Sequence, residues 1–162
     1  MLMGVCMDKS ATLDIRNEVL SKIPQQKPFR FVDEIIELSD SHAVGKYHFT
    51  EDEYFYKGHF PGNPVTPGVI LIETMAQIGL VALGIYLHMI EEGNNNDIIT
   101  LFAESEVEFA LPVMPGSIVI VKSEKMFYRR KKLKAQVEMC LESGELVARG
   151  VLSGVGVQQN VR

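Results

Sequence analysis

The chain has 162 residues, 46% of them hydrophobic and 23% charged, which is enough apolar material for one domain with a real core and excludes an intrinsically disordered chain. A net charge of −5 argues against a general nucleic-acid binder. The two cysteines, Cys6 and Cys140, lie far apart without metal-ligand spacing and fit a protein of the reducing cytoplasm.

Residues 1–10, "MLMGVCMDKS", form a short apolar start interrupted by Asp8 before any secretory-length hydrophobic region develops, and are expected to be a poorly ordered leader of a single domain spanning 1–162. "TLDIRNEVLSKIP" (Thr12 to Pro24) predicts an amphipathic helix with Leu13, Val19, Leu20 and Ile23 on its apolar side. "FRFVDEIIEL" (Phe29 to Leu38) and "HAVGKYHF" (His42 to Phe49) predict two strands joined by a polar turn. A Gly/Pro-rich loop follows, and then the apolar run "GVILIETMAQIGLVALGIYLHMI" (Gly68 to Ile90), with Pro67 suited to the first turn of a helix.

That run approaches the length of a membrane span, but Glu73, Gln77 and His88 within it favour the buried centre of a globular protein. "EEGNNND" (Glu91 to Asp97) ends the helix as a loop. Residues 98–113, 117–130, 132–142 and 145–157 are rich in β-branched and aromatic residues and predict four more strands, with "MPGS" and "ESGE" as turns. The expected architecture is α+β, an antiparallel sheet wrapped around one long apolar helix.

The chemistry concentrates in "GHFPGNPVTPGVILIETMAQIG" (Gly58 to Gly79). Gly58, Gly62, Pro61 and Pro64 fix the backbone around His59, as a site that must hold an imidazole still requires. His42, His48 and His88 have no such setting. Glu73 falls within the first two turns of the apolar helix, where desolvation favours a carboxyl's protonated form and makes it a proton donor; the plainer alternative is a carboxyl satisfied by Gln77 at i+4. Unpaired N–H groups at Gly68 and just beyond can hold a developing oxyanion. A base, an acid and an oxyanion hole suit removal of water from a β-hydroxyacyl thioester. No metal-ligand spacing or Gly-rich nucleotide loop is present, so no metal or organic cofactor is expected.

These residues resemble the (3R)-hydroxyacyl-acyl-carrier-protein dehydratases of fatty-acid synthesis, which have the hotdog fold. "GHFPGNPVTPGVILIETMAQ" is similar to the family's signature, "IPQQKPFRFVDEIIEL" to its opening segment, "VEFALPVMPGS" to a later strand and turn, and "YRRKKLKAQVEMCLESGELVARGVL" to its closing hairpin. The resemblance implies that His59 and Glu73 are the catalytic pair, that the Gly68 amide binds the thioester carbonyl, and that Gln77 plays a supporting part. It implies an acyl-carrier-protein substrate and a homodimer in which His59 of one subunit meets Glu73 of the other, with a trimer of dimers as a further step. Thr66 departs from the pattern, standing where an apolar residue is common, and Ala110-Leu111 replace a more basic pair.

Tyr56 and Phe60 are candidates to line the acyl tunnel. The basic run "YRRKKLK", with Arg129, Arg130, Lys131 and Lys132 at its centre, is a candidate docking patch for the acidic carrier protein or else a solvated hairpin tip. Rival functions are a thioesterase on the same fold, a non-catalytic acyl-binding subunit, and an isomerase, from which the glutamate at position 73 leans away.

Overall fold

The computed structural model describes residues 9–93 and 97–159. Most of the expected leader, the three asparagines of "EEGNNND" and Cys6 lie outside the described residues.

Helix α1 (Leu13–Lys22) begins where the Thr12 side chain accepts a hydrogen bond from the Ile15 N–H, with Asp14 in the first turn and Lys22 in the last, each charge opposed to the helix dipole at its end. Val19 and Ile23 turn into the core. Strands β1 (Glu34–Leu38) and β2 (His42–His48) form a hairpin. The sequence predicts that β1 starts at Phe29, whereas it starts at Glu34. The backbone of 29–31 is instead engaged by a side chain of the central helix: the Phe31 N–H donates to Gln77 Oε1 at 2.7 Å and the Phe29 carbonyl accepts from Gln77 Nε2 at 2.9 Å. A buried amide thus supplies the pairing that a neighbouring strand would have given.

The apolar run forms one helix, α2 (Gly68–Glu92), whose most apolar stretch is 78% buried inside the protein, as befits a core helix. Pro67 stands one position earlier than expected, as the cap: its carbonyl accepts from the amides of Ile70 and Leu71. The middle, Gln77–Ala82, is wound as a π-helix, which periodicity does not reveal. There the helix packs tightly against the sheet. A Cβ added to Gly79 would come within 3.0 Å of Val137, and one added to Gly45 within 2.9 Å of Ile78. Gly93, at φ 78°, ends α2.

Strands β3 (Ile98–Phe109), β4 (Ile118–Arg129), β5 (Lys132–Leu141) and β6 (Leu146–Gln158) complete a six-stranded antiparallel sheet in the order β1-β2-β4-β5-β6-β3. The sheet curls around α2, and Val121, Ala135, Val137, Met139 and Leu152 pack with Ile78, Leu80 and Leu83 in one core. β3 is an edge strand, bonded to β6 on one side. It exposes Leu101 and Phe102, at 55% and 43%.

Candidate active site

His59 sits in the loop between β2 and α2, and its backbone is tied at both ends. The His59 N–H donates to the Phe55 carbonyl at 3.0 Å, and the His59 carbonyl accepts from the Val65 N–H at 2.9 Å. Between them, Phe60 and Asn63 exchange reciprocal backbone hydrogen bonds, closing a turn in which Gly62 holds φ at 72°. The peptide bond between His59 and Phe60 is cis. The imidazole stacks on the Phe60 ring, centroids 4.2 Å apart.

The decisive contact is between His59 Nδ1 and the Val65 carbonyl oxygen, 2.8 Å apart. A carbonyl only accepts, so Nδ1 carries the hydrogen. In the neutral ring this leaves Nε2 as the unprotonated nitrogen, free to take a proton.

Val65 leads through Thr66 and Pro67 to the head of α2. Because Ile70 and Leu71 turn their amides back to Pro67, Gly68 and Val69 supply the remaining first-turn N–H groups. The Phe109 ring lies over Gly68, and a Cβ there would meet it at 3.3 Å. Val69 is 73% exposed.

Glu73 differs from the expectation of a carboxyl buried in its apolar helix. It is part-exposed and opens to a cavity of about 170 Å³ lined also by Gln25, Ala76, Leu80, Val81, Thr100, Leu101 and Phe102. Carboxyl and apolar wall lie together because Glu73, Ala76 and Leu80 follow one face of α2, while the edge strand β3 supplies the other side. Gln77 Nε2 donates to Glu73 Oε1 at 2.8 Å, so the plainer reading of Glu73 as a partner of Gln77 describes a real contact. Gln77 itself is fully buried.

His59 does not line the cavity beside Glu73. Within one chain, then, the imidazole stands outside the cavity that receives the carboxyl, which lies beneath the exposed edge of the sheet.

The weaker candidates separate. Phe60 is 53% exposed and stacked on His59, whereas Tyr56 is 5% exposed, its hydroxyl 2.7 Å from Thr66 Oγ1. Thr66, the departure from the apolar pattern, is buried and has its polar partner in Tyr56. Arg129 to Lys132 form the tight turn between β4 and β5, with Arg130 and Lys131 at positive φ. Lys131 Nζ lies 3.7 Å from Glu92, which puts this basic tip at the far end of α2. The 24 residue steps from Gly68 to Glu92 make that about 36 Å from the first-turn amides. Among the described residues, no group of three His, Cys, Asp or Glu side chains could hold a metal ion. Sequence reasoning missed Gln25, which shares the Glu73 cavity; its only signal was its place in "IPQQKPF".

A sequence profile of the FabA-like domain matches residues 23–150. The chain is 30% identical over 145 residues to a 3-hydroxyacyl-[acyl-carrier-protein] dehydratase FabZ of Syntrophobacter fumaroxidans, spanning 90% of this chain and 96% of that protein. It is 34% identical over 137 residues to the protein of the same name from Caldicellulosiruptor bescii, spanning 84% and 94% of the two chains. Among solved structures, a chain of the dehydratase heterocomplex ApeI:P from Xenorhabdus doucetiae superposes with a TM-score of 0.70 at 18% identity, over 88% of this chain and 91% of that one. The last likeness concerns the fold alone, the hotdog arrangement of a sheet wrapped around a central helix. With the profile matching most of its length and relatives of at least 30% identity spanned almost end to end, the chain belongs to the FabA-like dehydratase family.

Proposed function

We propose that the protein is a hydro-lyase that converts (3R)-3-hydroxyacyl thioesters carried on acyl carrier protein into trans-2-enoyl thioesters, in fatty-acid or related acyl-chain synthesis in the cytoplasm. The observation that carries this reading is the His59 Nδ1–H donated to Val65, which leaves Nε2 as the base.

In the forward direction His59 Nε2 takes the proton from the α-carbon. The electron pair moves onto the thioester carbonyl, whose oxygen is held by the Gly68 amide at the positive end of α2. Glu73, entering the step as the acid, gives its proton to the β-hydroxyl as the carbon–oxygen bond breaks and water leaves. Imidazolium and carboxylate remain, and the proton returns from one to the other through solvent. Gln77 holds Oε1 of Glu73, leaving Oε2 to carry the transferred proton.

The separation of His59 from the Glu73 cavity supports a site completed by a second copy of the chain, with the exposed edge of β3 as the face across which a homodimer pairs. A trimer of such dimers would build on it. Arg129, Arg130 and Lys132 offer the acidic carrier a cationic surface, which the dimer would have to bring toward the partner's thioester channel.

The test is hydration of a trans-2-enoyl thioester by the purified protein, followed by loss of enoyl absorbance with a thiol-trapping reagent present. Absorbance loss without thiol release is expected. Thiol release would transfer the reading to a thioesterase, and carrier binding without turnover to a non-catalytic acyl-binding subunit.

A further inference from the structure

The loop that carries His59 is closed by a buried hydroxyl pair that the reaction itself does not use. The Tyr56 hydroxyl and Thr66 Oγ1 are 2.7 Å apart, both residues almost fully buried. Tyr56 lies three positions before His59. Thr66 directly follows Val65, whose carbonyl receives the imidazole hydrogen. The pair therefore ties the two ends of the histidine loop together.

The peptide unit joining Val65 to Thr66 is the centre of this arrangement. It is planar, so its C=O and N–H turn as one body. Its carbonyl accepts from His59 Nδ1 at 2.8 Å, and its N–H donates to the Val113 carbonyl at 2.9 Å. One rigid plate thus links the imidazole to the segment ahead of β4. The Thr66 side chain is the remaining handle on that plate. Its β-branched χ1 is stiff, and its hydroxyl is held by Tyr56. Two residues on, the same backbone supplies the Gly68 amide. A tilt of the plate would move the acceptor of the imidazole and the first-turn donor together.

Burial makes the pair selective. Each hydroxyl finds its partner in the other, and removing one leaves the second desolvated and unpaired, at a cost of about 1 to 3 kcal/mol. The same burial pushes the Tyr56 phenol up from its ordinary pKa, keeping it a neutral hydroxyl able to donate.

We infer that Tyr56 and Thr66 are positioning residues that set the tautomer and angle of His59 through the Val65–Thr66 peptide, rather than residues lining the acyl tunnel. This rests on the dehydratase reading only for its kinetic arm.

The test uses the full chain with Tyr56→Phe, Thr66→Val and the double substitution, each read two ways. Nitrogen-15 NMR of the histidine ring reports which nitrogen carries the hydrogen, independently of any turnover. Enoyl-thioester hydration reports kcat and KM separately. Wild type is expected to show a single His59 tautomer protonated at Nδ1. Either single variant is expected to mix the tautomers and lower kcat about tenfold with KM unchanged, inside the roughly hundredfold that an ångström of misplacement can cost. The double variant, with neither hydroxyl left unpaired, is expected to recover part of kcat. A single Nδ1–H tautomer and kcat within about twofold of wild type in both single variants would overturn the inference. A mixed tautomer in variants of a protein without dehydratase activity would uphold the clamp and defeat the functional reading instead.

Discussion

Gln77 holds Glu73 and the backbone of 29–31 with one amide: Nε2 donates to Glu73 Oε1 at 2.8 Å and to the Phe29 carbonyl at 2.9 Å, while Oε1 accepts from the Phe31 N–H at 2.7 Å. The side chain is fully buried, and its removal would leave the buried Phe31 N–H without the acceptor it has here. Gln77→Ala is expected to cost about 3 kcal/mol of stability, from unpaired backbone groups and the cavity left behind. It should also lower kcat by freeing the Glu73 carboxyl. Denaturant unfolding beside steady-state kinetics checks both; unchanged stability would show that Gln77 is not the strut described.

Gly68 is the second point where one atom decides. A Cβ there meets the Phe109 ring at 3.3 Å, a contact a small ring shift relieves, so Gly68→Ala should fold with nearly unchanged thermal stability. On the proposed mechanism, the added methyl would crowd the approach of the thioester oxygen to the Gly68 amide. Loss of such a donor contact costs about 10² to 10³ in rate. Hydration kinetics at least tenfold weaker, with the melting temperature preserved, is the expected pattern. Wild-type kinetics would remove the Gly68 amide from the mechanism.

Much of this was legible in the chain. The element order, the antiparallel sheet and the buried character of α2 followed from strand alternation and the unbroken apolar run. The start of β1 was not legible, because periodicity cannot distinguish a segment paired to a strand from one paired to Gln77. Nor was the π-helical segment Gln77–Ala82, within which Gly79 packs closely against Val137 and Ser123 of the sheet. Thr66 registered only as a departure; its partner Tyr56, ten residues away, needed the folded loop. The partial exposure of Glu73 depends on β3 being the sheet edge, and a single sequence does not give strand order.

Three tyrosines make stability sensitive to alkali. Burial raises the phenols of Tyr47, Tyr56 and Tyr128, with the hydrogen bond to Glu53 adding to Tyr47 and the carboxylates of Glu91 and Glu92 to Tyr128, which is pushed up to about 12. The folded protein then binds more protons than the unfolded chain above the ordinary phenol pKa of about 10. Their contribution is complete below pH about 10 and is lost as the pH climbs through the raised values. Phenol absorbance should show a delayed group of tyrosines, and Tyr128→Phe should flatten the alkaline fall in stability. Simultaneous titration of all five tyrosines near pH 10 would contradict this.

Gly150 marks how tightly the site's outer wall is built. A Cβ on this residue of β6 would stand 2.0 Å from the Glu106 carbonyl oxygen of β3, closer than any atom can sit. Gly150→Ala must therefore displace the edge strand that lines the Glu73 cavity. Loss of soluble folded protein, or folding with a destabilisation of more than about 3 kcal/mol, is expected from circular dichroism and urea titration. A fully stable variant would mean that β3 is not pinned to β6 at this register.

The central claim is that a base from one subunit and an acid from another form each site, and co-expression of two inactive variants tests it most directly. His59→Ala and Glu73→Gln chains carrying different affinity tags are expected to be inactive alone. Mixed dimers isolated by both tags hold one site with both native side chains, so they should recover about half of wild-type hydration per dimer. Mixed dimers as inactive as either parent would contradict the account.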